Sequence, residues 1–147
     1  FDAIDAEFLL GQAYLDTEQP ELAVNSFAYV VAKLPEYRKG QIYYSLALGA
    51  AGDYERAARQ YLDALKKGRD PIFRETEVLH IFRMWASQAP QTSETSYYLA
   101  VVLREFGHYQ EALDIQEELL AAYPNREEIQ QNITWLETAL ENYEMNE

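Results

Sequence analysis

Residues able to do chemistry are few in this sequence, and none of them cluster. There is no cysteine, which excludes disulfides and thiolate metal sites but leaves the compartment open. The two histidines, His80 and His108, lie far apart with no ligand-like spacing, so no metal is expected. No Ser/His/Asp grouping can be localised, no phosphate loop occurs, and no acid pair is set against an apolar pocket. The many glutamates read as solvated helix faces rather than catalytic carboxylates. Asn132-Ile133-Thr134 fits a glycan-acceptor pattern, but it falls inside a predicted helix and is taken as chance. The expectation is a non-enzymatic protein that needs no cofactor.

What the side chains offer instead is aromatic binding surface. Twelve tyrosines in 147 residues is high. Two pairs, Tyr43-Tyr44 and Tyr97-Tyr98, sit in predicted helices, where neighbours point about 100° apart. One member of each pair should pack inward, and the other either lines a face or also packs. Ile81, Phe82 and Trp85 form a second apolar group. It reads as core, or, if exposed, as a second interface, because aromatics supply much of an interface's energy.

Charge narrows the partners. The net charge of −13 argues against nucleic acid and anionic membranes. No apolar run is long enough to span a bilayer, so membrane insertion is not expected. The charge is uneven. Residues 1–37 carry one base against seven acids, residues 38–92 nine bases against six acids, and residues 93–147 two bases against twelve acids. The basic middle either varies by chance or meets an acidic partner, including the acidic end of another copy. The chain starts at Phe1 rather than Met, so a processed or excised form is expected, with any targeting information upstream.

Eight helices can be laid along the chain, with no strand and no linker. Residues 2–16 form the first, with Ile4, Phe8, Leu9, Gly11, Tyr14 and Leu15 on one broad face. Pro20 opens the second, which carries Ala23, Phe27, Val30 and Val31 inward and ends at Pro35. The third spans roughly Tyr37 to Ala51. Asp53 caps the fourth, Tyr54 to Lys67, with Ala57, Tyr61, Ala64 and Leu65 inside and Arg56, Arg59, Asp63, Lys66 and Lys67 outside. Asp70 and Pro71 should start a fifth helical segment over 72–92, apolar on more than one side. Ser93 caps the sixth, Gly107-His108 turns the chain into the seventh, and Asn125 caps the last. In that last helix Ile129, Ile133, Leu136 and Leu140 form one apolar stripe opposite Gln130, Gln131, Glu137 and Glu141, as a terminal capping helix requires. Residues 144–147 are expected to fray.

An internal repeat ties these helices together. Gly52-Asp53-Tyr54-Glu55-Arg56-Ala57 aligns with Gly107-His108-Tyr109-Gln110-Glu111-Ala112, and 34 residues before Ala57 stands Ala23. Ala57 and Ala112 are separated by one period plus 21 residues, which is the 72–92 insertion. The pattern resembles the tetratricopeptide repeat, carried by Leu10, Gly11, Tyr14, Ala23, Phe27 and Pro35 in the first unit. The second carries it on Tyr44, Ser45, Leu48, Ala57, Tyr61 and Ala64, and the third on Leu99, Ala100, Leu103, Ala112, Leu119 and Pro124. The small residues Gly11, Ser45 and Ala100, with Ala23, Ala57 and Ala112, fall where paired helices would cross. The resemblance implies an all-α, right-handed solenoid of antiparallel helix pairs forming one domain over 1–147. Its repeats fall at about 4–37, 38–71 and 93–126, with a capping helix at 127–143. A single extra helix within 72–92 would reverse the direction of every later helix; two short helices would not.

The same resemblance implies a function. Such stacks hold an extended peptide or a helix in a concave groove lined by the first helix of each unit. Carried over by position, the groove holds Phe8, Gln12, Ile42, Tyr43, Leu46, Tyr97, Tyr98, Val101 and Arg104. Some members clamp acidic chaperone tails with Lys, Asn and Arg. Phe8, Gln12, Tyr43, Glu94 and Tyr98 stand at those positions here, so that clamp is absent. An aromatic groove suits Pro-rich segments, which are already extended. The reading is therefore a scaffold binding a protein or peptide. The alternatives are a self-associating module, with a homo-oligomer as its product, and a substrate-peptide-binding domain of a larger enzyme. The last looks somewhat like the Tyr-rich peptide-binding domains of prolyl hydroxylases.

Overall fold

Small side chains recur where the helices must approach, and the helices pair at those places. The computed structural model describes residues 2–146, and every element among them is an α-helix. Two compact units divide the chain, 1–74 and 75–147.

The first unit holds α1 (Ala3–Asp16), α2 (Pro20–Lys33), α3 (Arg38–Ala50) and α4 (Tyr54–Lys66). Each packs on the next in sequence. Asp2 caps α1 in a reciprocal box with Asp5, and Asp53 caps α4 by accepting from the Arg56 N–H. Pro20 occupies the first turn of α2, as its missing N–H allows. Gly11, Ala23, Ser45 and Ala57 are all buried. A Cβ on Gly11 would stand 2.7 Å from the Phe27 ring, so glycine is what lets α1 and α2 close. The second unit holds α5 (Glu75–Ser87), α6 (Glu94–Glu105), α7 (Tyr109–Ala122) and α8 (Glu127–Met145), again packed in succession. Ala100 and Ala112 are buried there.

Several boundaries differ from the sequence reading, each for a visible reason. Asp70 does not start a helix at residue 72. Its carboxylate accepts from the Ile72 and Phe73 N–H groups and from the buried Tyr61 hydroxyl, which fixes a turn, and α5 begins only at Glu75. The insertion thus contributes one helix. Ser93 stands at the N-cap of α6, but its hydroxyl makes no capping bond. Arg126, not Asn125, is the N-cap residue of α8; its guanidinium is drawn away to Glu94 and Glu128. Leu9, expected inward, is 51% exposed, because α1 has α2 and α3 on one side only. Helix α8 runs through Met145, two residues past the expected end at 143; Phe1 and Glu147 lie outside the described residues.

The single added helix takes a recognisable place. In α3, Gly40 is buried against Val30 of α2, and Tyr44 and Ala47 in the same stripe are also buried. The positions in the same register of α6 are Thr95, Leu99 and Val102, and of α8 Ile129, Ile133 and Leu136; all six are buried. Helix α5 packs on α6 as α2 packs on α3 and α7 on α8. It acts as a second helix with no first helix of its own, and the alternation breaks at residues 67–74, where the two units part.

The inter-helix turns carry a left-handed residue at one repeat register. Gly52 has φ of 89°, Gly107 of 84°, and Glu18 of 58°. Glycine adopts this region freely, and a side chain pays a steric penalty. Replacing Glu18 by glycine is expected to stabilise the chain, and Gly52→Ala to destabilise it, by about 1 kcal/mol each in urea unfolding. Gly11→Ala forces the buried Phe27 ring to shift, and its expected cost is about 1–3 kcal/mol.

Candidate functional site

The first helices of the pairs, α1, α3 and α6, carry the residues expected to face a partner, and α8 stands in the same register. In the first unit Phe8 and Tyr43 pack on each other and on the buried Phe27. Phe8 stands edge-on to Phe27 at 5.7 Å and to Tyr43 at 5.3 Å, and tilts against Tyr37 at 5.8 Å. Tyr43 stacks on Phe27 at 5.6 Å. Lys39 Nζ lies 5.7 Å from the Phe8 centroid. Phe8, Gln12, Tyr43 and Leu46 remain half-buried, with part of each side chain reaching solvent. Ile42 is 1% exposed and belongs to the core, so the groove position expected for it is corrected. The second candidate patch is likewise core. Phe82 and Trp85 are buried with their rings 5.5 Å apart, and only Ile81 is half-buried.

The second unit builds a more open face from α6 and α8. Tyr97, Tyr98, Val101 and Arg104 of α6 are all half-buried. Arg104 lays its guanidinium 3.8 Å over the Trp135 ring, and one of its N–H groups donates to Asn132 Oδ1 at 3.4 Å. Asn132 in turn donates from Nδ2 to the Tyr97 hydroxyl at 3.3 Å. Tyr109, at the start of α7, meets Trp135 edge-on at 5.5 Å. Trp135 is nonetheless 42% exposed. Gln131, Trp135, Thr138 and Asn142 share one open side of α8. At one end of this face Arg126 pairs with Glu94 and Glu128 and stands 5.1 Å over Tyr97. The result is an indole held on two sides, ringed by hydrogen-bonding groups, with its remaining surface open to solvent.

Trp135, Asn132 and Arg126 escape the sequence reading because α8 reads there only as a cap. The signal is present all the same. Trp135 lies 34 residues after Val101, in the register that places side chains on this face.

The ion pairs at Arg126 shift two groups. Hydrogen bonding to Glu94, then to Glu128, raises the Arg126 guanidinium further above its ordinary value. The Glu128 carboxylate is held below the usual range first by its own backbone N–H, in the first turn of α8, and second by Arg126. A depressed folded-state value means that this group supports folding at and above the ordinary glutamate range, and that its support is lost as pH falls through the folded value. In an NMR titration Glu128 should titrate low. In Arg126→Ala it should move only part of the way back, because the backbone N–H remains; full return to the ordinary range would remove the helix-terminus cause.

Comparisons with known proteins agree with the repeat. The profile described as tetratricopeptide repeat matches residues 8–71 and 81–127. Among solved structures, the Sgt2 TPR domain from Aspergillus fumigatus is 14% identical, with 99% of this chain and 83% of that one aligned at a TM-score of 0.41. A structure described as the MamA RS-1 ArsTM double mutant is 15% identical, with 99% and 89% aligned at a TM-score of 0.45. Similarities this low say nothing about what is bound. No curated protein matches the chain.

Proposed function

The chain belongs to the tetratricopeptide repeat family, and from that premise we propose that it is a scaffold holding an extended peptide or helix of a partner protein against its first-helix faces, anchored at Trp135. Repeats of this family are protein-interaction modules. The observation that carries the finer reading is the half-exposed indole of Trp135, fixed between Arg104 and Tyr109. Ordering a side chain on binding costs conformational entropy, and an indole already held in place loses less of it. Arg104 retains donors that can meet a peptide carbonyl, since stacking on the ring uses its face and not its edge. Large, partly desolvated aromatics beside arginine are the residue types that dominate measured interfaces. The half-buried Phe8, Gln12, Tyr43 and Leu46 provide a second such face in the first unit, with less free ring area. No helix among the described residues is long and apolar enough to cross a membrane.

The test starts from peptides selected on the intact chain from a displayed library. Trp135→Ala should retain its helicity, since the ring is at the surface, and lose about 2 kcal/mol of affinity, roughly thirtyfold. Arg104→Ala should lose less, about 1 kcal/mol. Selected peptides that bind Trp135→Ala as tightly as the wild type would refute the assignment.

A further inference from the structure

The four second helices share one register, and two of them carry opposite charge on their outer sides. Residues 56–69, α4 with the turn after it, hold five bases, Arg56, Arg59, Lys66, Lys67 and Arg69, against one acid, Asp63. The stretch in the same register of α7, residues 111–124, holds four acids, Glu111, Asp114, Glu117 and Glu118, and no base. These five bases and four acids are all exposed. The corresponding stretch of α2, residues 22–35, holds one base and no acid, and that of α5, residues 77–90, one base and one acid. Helix pairing thus asks for neither sign at these positions. The residues that pair the helices, Ala57 and Tyr61 in α4 and Ala112 and Gln116 in α7, are buried on the inner side.

Part of this charge is met within the chain. Arg56 lies 3.3 Å from Asp53, Lys67 3.4 Å from Glu36, and Glu111 2.7 Å from Arg83. Lys66 reaches Asp63 only at 3.9 Å. Among the described residues Arg59, Arg69, Asp114, Glu117 and Glu118 enter no ion pair. A polyanion such as nucleic acid would meet the α4 bases, but also a molecule of net charge −13. A second copy offers the better match, because its α7 presents acids in the same register and at equal concentration. Like charges oppose α4 against α4 and α7 against α7, so the contact joins unlike surfaces. We propose that the outer side of α4, with the turn after it, docks the outer side of α7 of a second copy of this chain. Exposed ion pairs are individually weak, so the contact is a network that salt dissolves. At about 0.1 M salt the screening length is about 10 Å, which damps repulsion between whole molecules and spares close pairs; at about 1 M it is about 3 Å, and the pairs are screened as well. The contact uses second helices, whereas the Trp135 reading uses first helices, and either can fail alone.

Sedimentation of the intact chain over a concentration series reads the contact. The wild type should self-associate at about 0.1 M salt and be monomeric at about 1 M. Two exchanges of sign test the surfaces, Arg59→Glu/Lys66→Glu and Asp114→Lys/Glu118→Lys. Each variant alone should associate about tenfold more weakly. Net charge does not explain both losses, since the second variant is less charged than the wild type. Mixed together, the two variants should associate as tightly as the wild type, because each meets its complement in the other. A wild type monomeric throughout, association that either variant leaves intact, or a mixture that stays apart would each overturn the proposal. Should a variant misfold, zero-length carbodiimide coupling of isotope-labelled with unlabelled wild-type copies decides. Links between copies from Lys66 or Lys67 to Asp114, Glu117 or Glu118 support the contact; links only at other sites, or none, refute it.

Discussion

Close approach of helix backbones is the constraint on which the rest of this structure depends. Six positions, Gly11, Ala23, Ser45, Ala57, Ala100 and Ala112, are buried where a larger side chain would hold the paired helices apart. At Gly11 the margin is visible, since even one added carbon meets the Phe27 ring. Because the helices close at these points, large residues on either side can interdigitate: Phe27, Ile42, Leu48 and Tyr61 in the first unit, Phe82, Leu103, Leu119 and Leu136 in the second. Helix pairing fixes which stripe of each helix is turned to its neighbour, and hence which residues are left to meet a partner.

That geometry is legible in the sequence where it rests on spacing. The recurrence of small residues at one register, the glycines of two turns and Pro20 at a helix start all point to physical needs that few residue types meet. The chemistry of the remaining turns is less visible. Glu18 occupies the left-handed position that glycine fills at Gly52 and Gly107, and nothing in a glutamate announces it. Asp70 reads equally well as a helix cap or as a turn former, because both uses put backbone N–H groups on a carboxylate. Only its third partner, the buried Tyr61 hydroxyl, distinguishes them, and that contact spans nine residues.

The binding face is harder to read because a first-helix position can be either covered or open. Ile42 and Tyr43 are neighbours in sequence, yet one is core and the other half-buried, and helical periodicity alone does not fix the phase closely enough to say which. Phe82 and Trp85 read ambiguously for a similar reason, since a helix with two apolar sides is equally consistent with burial and with display. Trp135 shows the opposite error. The buried stripe of Ile129, Ile133 and Leu136 reads in the sequence so plainly as a cap that it masks the indole on the other side of the same helix. One helix can bury a stripe on one face and display an aromatic ring on another.

Whether Trp135 anchors a ligand is decided by mapping where a selected peptide touches the chain. Amide and indole resonances of the intact protein would be followed by NMR as such a peptide is added. The Trp135 indole N–H and the amides of Tyr97, Val101, Arg104 and Asn132 should shift together, with the outer faces of α4 and α7 unmoved. Shifts concentrated on those outer faces, with the Trp135 indole unchanged at saturation, would contradict it.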